Sequence, residues 1–261
     1  MDGEPDLRGS IPFSRFYGTF LKIAQPEMFK EVDGRNYFAA STRLIHFSSS
    51  GLAGVWAEEN TREAIYDALR RKETFATSGP RMKVRFFAGY NFENFQLNDL
   101  SLIQDAYKTS MPMGGTLNID SNKNPTFLVW AIADPLGAPL QRTQIVKGWL
   151  EDGEHKEKVF DVACSDEMNV DPSNHRCPDN NAWVDLTDCS ISADSGSREM
   201  KVFWQDPEFK INQKAFYYAR VIENPVCRWS TWDSIRNGQK PRSDIPSTIQ
   251  ERAWSSPIWL K

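Results

Sequence analysis

Residues 125–134 read PTFLVWAIAD, and four segments of the same kind follow: QRTQIVKGWLE at 141–151, HKEKVFDVAC at 155–164, REMKVFWQD at 198–206 and QKAFYYARVIEN at 213–224. Each is rich in the β-branched and aromatic residues that fit a pleated, half-buried surface. Between them stand turn formers, at Asp134 to Pro139, Asp152 and Gly153, Asp194 to Gly196, and Asp206 and Pro207. Asp, Asn, Gly and Pro reverse the chain at such places. Successive strands joined by turns predict an antiparallel, sandwich-like domain whose inner faces take the Trp and Phe side chains. The closing SSPIWL, 255–260, predicts one more edge strand.

Upstream, the pattern changes period. Asn60 stands three residues before Glu63, a capping-box spacing in an Asn variant, and predicts a helix from Thr61 to about Lys72. Ala64, Ile65, Ala68 and Leu69 form one apolar stripe, while Arg70, Arg71 and Lys72 suit the negative end of the helix dipole. Then ETFATSGPRMKVRFFAGY, 73–90, predicts two short strands around the Gly79-Pro80 break. Residues 1–50 are interrupted by Pro5, Pro12 and Pro26 and support at most one short helix near Phe13 to Ile23. The expected organisation is therefore α+β and mostly β: an unassigned segment 1–50, a strand and helix unit 51–90, and a β-rich domain 91–261 that holds all four cysteines.

The composition excludes some functions. Thirty-one basic against thirty-five acidic residues, intermixed in short runs, leave no basic footprint for nucleic acid. No apolar run approaches the roughly 20 residues a membrane span needs. The opening MDGEPDLRGS lacks the basic and apolar regions of an export signal. The cysteines Cys164, Cys177, Cys189 and Cys227 are even in number and clustered, which favours two disulfides of open connectivity and hence an oxidising, periplasmic or secreted setting. Free thiols, or a zinc site using Cys164, Cys177, Cys189 and His175, are the rival readings, although no C-x-x-C pair is present.

GLAGVWAEENTREAIYDALRRKETFATSGPR at 51–81, MGGTL at 113–117, DPLGAPLQRTQIVKGW at 134–149, FYYARVIENPVCRWSTWD at 216–233 and IQERAWSSPIWL at 249–260 resemble the C-terminal portion of the bacterial domain-of-unknown-function family 3604. The resemblance covers nearly everything after residue 50, and residues 1–50 match it poorly. It implies a relative of polymerase-and-histidinol-phosphatase-type hydrolases, in which two or three divalent metal ions (Zn, Mn or Ca) at the mouth of an α/β barrel activate water against a phosphate or sulfate ester. The unit at 51–90 would be the last barrel element, and the rest an appended domain. An upstream barrel segment or a second copy of the chain would then cover Ile65 and Leu69. The ligands of such a centre come from His-x-His and Asp-x-His pairs, and this chain has only His46, His155 and His175, in neither form. By this reading the chain is not catalytically complete by itself.

Several residues remain as candidates. Glu58, Glu59 and Arg62 enter the predicted helix, where the carboxylates could orient a water or substrate group and the guanidinium could pair with an ester oxygen. Helix capping and dipole compensation explain the same residues. Thr77, Ser78 and Arg81 offer an anion-contacting turn, or a plain strand-ending one. His46 is the one upstream metal-ligand candidate. Trp229, Trp232, Trp254 and Trp259 would make a platform for a glycan or aryl compound if exposed, which defines the rival function: a stand-alone β-rich module binding a glycan, an aryl compound or a protein.

Overall fold

The computed structural model describes residues 29–38 and 51–261. His46 and the apolar residues between Phe13 and Ile23 lie outside them. The described chain is α+β with strand far exceeding helix. A hairpin pairs β1 (Phe29–Val32) with β2 (Arg35–Phe38). The larger sheet joins β3 (Leu52–Val55), β4 (Thr74–Thr77), β7 (Thr116–Leu117), β9 (Leu140–Glu151), β10 (Glu154–Cys164), β12 (Ala215–Glu223), β15 (Arg252–Ser255) and β16 (Ile258–Leu260). Its path is β10-β9-β12-β15-β4-β3. The smaller sheet, β11-β8-β5-β6, is made of β11 (Glu199–Gln205), β8 (Thr126–Ile132), β5 (Lys83–Gly89) and β6 (Met111–Pro112). A short pair, β13 (Val226–Cys227) with β14 (Thr248–Ile249), lies apart from both.

All five segments of the opening reading are strands, and their faces explain their composition. Along β12, Ala215, Tyr217, Ala219 and Val221 are buried while Phe216, Tyr218 and Arg220 are half-buried, the period-2 pattern of a strand with one covered face. β8 reads instead as a nearly continuous apolar run because both of its faces are covered. Phe127, Val129 and Ala131 join Ile145, Phe160, Tyr217 and Ala253 of the larger sheet in one core. Leu128 points the other way, into a second cluster with Phe87, Phe92, Leu102 and Ala106. Leu102 and Ala106 come from helix α2 (Leu102–Thr109). Lys147 of β9 is buried in the main core and donates to Asp206, just past β11, at 2.6 Å, so a charge pair links the two sheets. Tyr217 adds a second donor to Asp206 at 2.7 Å, and the buried carboxylate is satisfied.

Helix α1 (Arg62–Arg71) forms where predicted, with corrected ends. Thr61 caps it, not Asn60: its backbone is extended and its Oγ1 accepts from Ala64 N. Lys72 ends it in the left-handed conformation, its N–H returning to Leu69 O. The apolar stripe is only half used, because Ala68 is fully buried while Leu69 is 53% exposed. β3 pairs β4 antiparallel, whereas neighbouring strands of an α/β barrel run parallel. β4 pairs β15 and β5 pairs β8, so both sheets draw on residues either side of position 90. The closing segment is likewise not an edge: β16 pairs β12 on one side and β7 on the other.

The cysteines form two disulfides, Cys164–Cys177 and Cys189–Cys227. No free thiol is left for a zinc site. The first bond ties the end of β10 to the loop that follows, and the second ties that loop to β13. Amides finish the attachment: Asn180 donates to Asn224 Oδ1 at 2.9 Å and accepts from Gln141 Nε2 at 3.0 Å. Two disulfides in one chain suit an oxidising compartment. Among the described residues no helix is long and apolar enough to cross a membrane.

Candidate functional site

The residues after β3 pass β5 before entering α1, and a groove is built where they meet it. Trp56 is held there twice, its N–H donating to Glu73 O at 3.0 Å and its indole Nε1 to Val84 O at 2.8 Å. Arg85, on β5, lays its guanidinium over the indole, 3.6 Å from the ring centroid. Glu73 occupies the bend between the left-handed cap of α1 and β4, and only 4% of it is exposed. Gly114 makes the bend possible from the other side. Its φ is +87°, and a Cβ there would stand 2.3 Å from Lys72 O, so a side chain is excluded.

Glu73 is a buried carboxylate with its partners supplied. Tyr107 of α2 donates to Glu73 Oε1, and Arg85 Nη1 donates to Tyr107 Oη at 2.7 Å. Arg71 Nη2 stands 3.6 Å from Glu73 Oε2. Burial, and then the bond to Glu73, pushes the Tyr107 hydroxyl far above the usual phenol range, so it stays a donor. The Tyr107 ring is fixed by an edge contact with Phe87 at 5.0 Å. Trp56, Glu58, Arg71, Glu73, Arg85 and Tyr107 thus line an open groove of about 550 Å³. Glu58 and Arg71 also belong to an adjoining shelf of about 360 Å³, which continues along α1 past Glu59, Glu63 and Asp67.

The groove gathers some of the expected residues and not others. Glu58 lines both parts and Glu59 the shelf, while Arg62 is exposed in the first turn of α1 and lines neither. Thr77, Ser78 and Arg81 lie at the far end of β4, where their groups are taken by the protein itself. Ser78 Oγ donates to Glu251, Thr77 Oγ1 accepts from Gly79 N at 3.3 Å, and Arg81 N donates to Asp134 Oδ2 at 2.6 Å. His155 is exposed, and His175 packs edge-on against Phe160 at 5.1 Å. Among the described residues no three His, Cys, Asp or Glu side chains are grouped to hold a metal ion, so they do not fit the metal centre that the resemblance implies.

The tryptophans divide. Trp254 and Trp259 sit on the larger sheet, Trp259 49% exposed and 5.1 Å from the Phe216 ring. Trp229 and Trp232 belong to helix α3 (Trp229–Arg236), each under a guanidinium, Arg228 and Arg236 respectively. Among the described residues no ring contact joins the two pairs.

A family described as protein of unknown function, DUF3604, matches residues 13–261. The chain belongs to DUF3604. The match extends well into the first fifty residues, which the motif resemblance had left out. No curated protein and no solved structure matches the chain. For this DUF3604 chain the site must therefore be read from its own geometry. Arg71, Glu73, Arg85 and Tyr107 were missed as site residues because each has an ordinary local explanation. Arg71 suits a helix C-terminus, and Arg85 alternates with strand residues. The available signal was VRFFAG at 84–89, where Arg85 precedes two Phe residues that face opposite ways. A strand covered on both faces shelters any charge it carries.

Proposed function

We propose that this DUF3604 chain is a β-rich binding module, and that the groove between Trp56 and Tyr107 receives its ligand, a glycan or an aryl compound. One observation carries the reading: a buried carboxylate, Glu73, is held by Tyr107 and Arg71 beside a guanidinium stacked on Trp56, in a concavity of ligand size. A pre-formed polar set costs little ordering when a ligand arrives. Two disulfides support work outside the cytoplasm, in the periplasm or after secretion.

A second reading is favoured by the surface of α1. Leu69 and Tyr66 are 53% and 58% exposed, and Leu52, on the outermost strand of the larger sheet, is exposed as well. Under it, the sandwich-like domain is the C-terminal part of a metal-dependent ester hydrolase, and a catalytic segment elsewhere in the polypeptide covers this face and holds the metals. The groove would then receive part of the substrate.

The test is a ligand screen by thermal shift on the purified chain, with oligosaccharides and aryl acids, run beside hydrolysis assays with manganese or zinc. The expected result is stabilisation by one ligand class, lost in Arg85→Ala, with the ligand recovered unchanged. Turnover of an aryl phosphate or sulfate by the chain alone would overturn the binding-module reading.

A further inference from the structure

Resting on the reading of the groove as the ligand site, we infer that its ligand is a neutral glycan and not an anionic ester. The argument begins with charge. Within the groove the carboxylates of Glu58 and Glu73 face the guanidiniums of Arg71 and Arg85, so it carries no net charge. Along the adjoining shelf Glu59, Glu63 and Asp67 add negative charge with no further cation. A phosphate or sulfate entering this cleft meets a repulsive field, since charge of one sign lining a cleft excludes ligands of the same sign.

The arginines are also partly committed. Arg85 spends one donor on Tyr107 and its flat face on Trp56, and Arg71 leans on Glu73. A guanidinium so engaged offers an incoming oxyanion only the donors these contacts leave. What stays available is a mosaic: spare N–H donors on both guanidiniums, an exposed acceptor at Glu58, and the apolar surfaces of Trp56, Tyr107 and Pro112. A sugar hydroxyl donates and accepts at once, so a polyol uses both halves of that mosaic. Its C–H faces pack on the rings without requiring charge. Groove and shelf share Glu58 and Arg71, so the cleft is continuous and suits an oligosaccharide more than a single ring.

The experiment is a glycan array probed with the whole chain, carrying neutral gluco-, xylo-, manno- and galacto-oligosaccharides and sulfated versions of the same backbones. Hits are titrated against the chain and against Glu58→Gln and Tyr107→Phe, each checked for folding by circular dichroism. The expected result is binding of a neutral backbone, weakened about tenfold or more by either variant, with its sulfated version at least tenfold weaker and little dependence on salt. Preference for the sulfated version, with the same sensitivity to the variants, overturns this inference and leaves the groove as the site. Binding that ignores both variants overturns the inference together with the groove reading, whereas no binding by any backbone overturns the inference and leaves an aryl compound as the ligand of the groove.

Discussion

A buried carboxylate is stable only with its partners in place, and two of the buried ones, Glu73 and Glu223, are treated in opposite ways. Glu73 receives the Tyr107 hydroxyl and the Arg71 guanidinium. Tyr107→Phe removes one donor and leaves both Glu73 Oε1 and Arg85 short of a partner. The variant is expected to lose about 1–3 kcal/mol of stability in urea unfolding, more than an exposed Tyr→Phe change would cost. Glu223 is different, because its Oε1 is buried with no hydrogen-bond partner. Burial first, then the nearby carboxylates of Glu251 and Asp134, push its carboxyl up to about 8 from the ordinary 4.5, against a smaller opposing pull from Arg198. The folded chain therefore keeps a proton that the unfolded chain releases. The contribution of Glu223 is complete below about pH 4.5 and is lost as pH rises towards 8. Between pH 6 and pH 9 the loss is on the order of 3 kcal/mol. Stability measured across that range should fall in the parent chain and stay nearly level in Glu223→Gln; parallel curves would show that the carboxyl is not protonated at neutral pH.

At the scale of elements, the strands were legible because β-branched and aromatic runs between turn formers mark them, and burial on one face of β12 adds a two-residue period. What sequence could not supply was partnership. The closing segment looked like an edge because nothing in SSPIWL names its neighbours, yet β16 is bonded on both sides, to β12 and to the two-residue β7. The helix cap was displaced by one residue because Asn60 and Thr61 are both good caps, and only the extended backbone of Thr61 decides. The site was legible in its rim and hidden in its floor. Glu58 and Glu59 stood out in a polar run, while Glu73, Arg85 and Tyr107 come from a bend, a strand and a helix whose meeting is set by tertiary packing. Disulfide pairing also depends on the fold. The Cys189–Cys227 bond closes a longer stretch than Cys164–Cys177, 38 residues against 13. Replacing each pair by Ser should cost a few kcal/mol, more for the longer one, as a lowered midpoint in thermal unfolding.

At the scale of the molecule, the larger sheet carries the groove at one end and the disulfide loop at the other. The smaller sheet is covered on both faces and gives the site a rigid back, since Arg85 stands on β5 and Tyr107 packs on Phe87 of the same strand. Residues set on strands hold their geometry better than residues on loops. Such a frame suits recognition that needs no large rearrangement on binding. Leu69 and Tyr66, on the exposed side of α1, are not among the residues that line the groove, so covering them would leave it open.

The most direct measurement maps bound ligand onto the isotope-labelled chain by amide and indole chemical-shift changes. The account predicts that the Trp56 indole and the backbone around Glu73, Arg85 and Tyr107 shift on binding, and that Arg85→Ala abolishes the response. Shifts confined to Trp229 and Trp232, or to the outer face around Trp259, would contradict it.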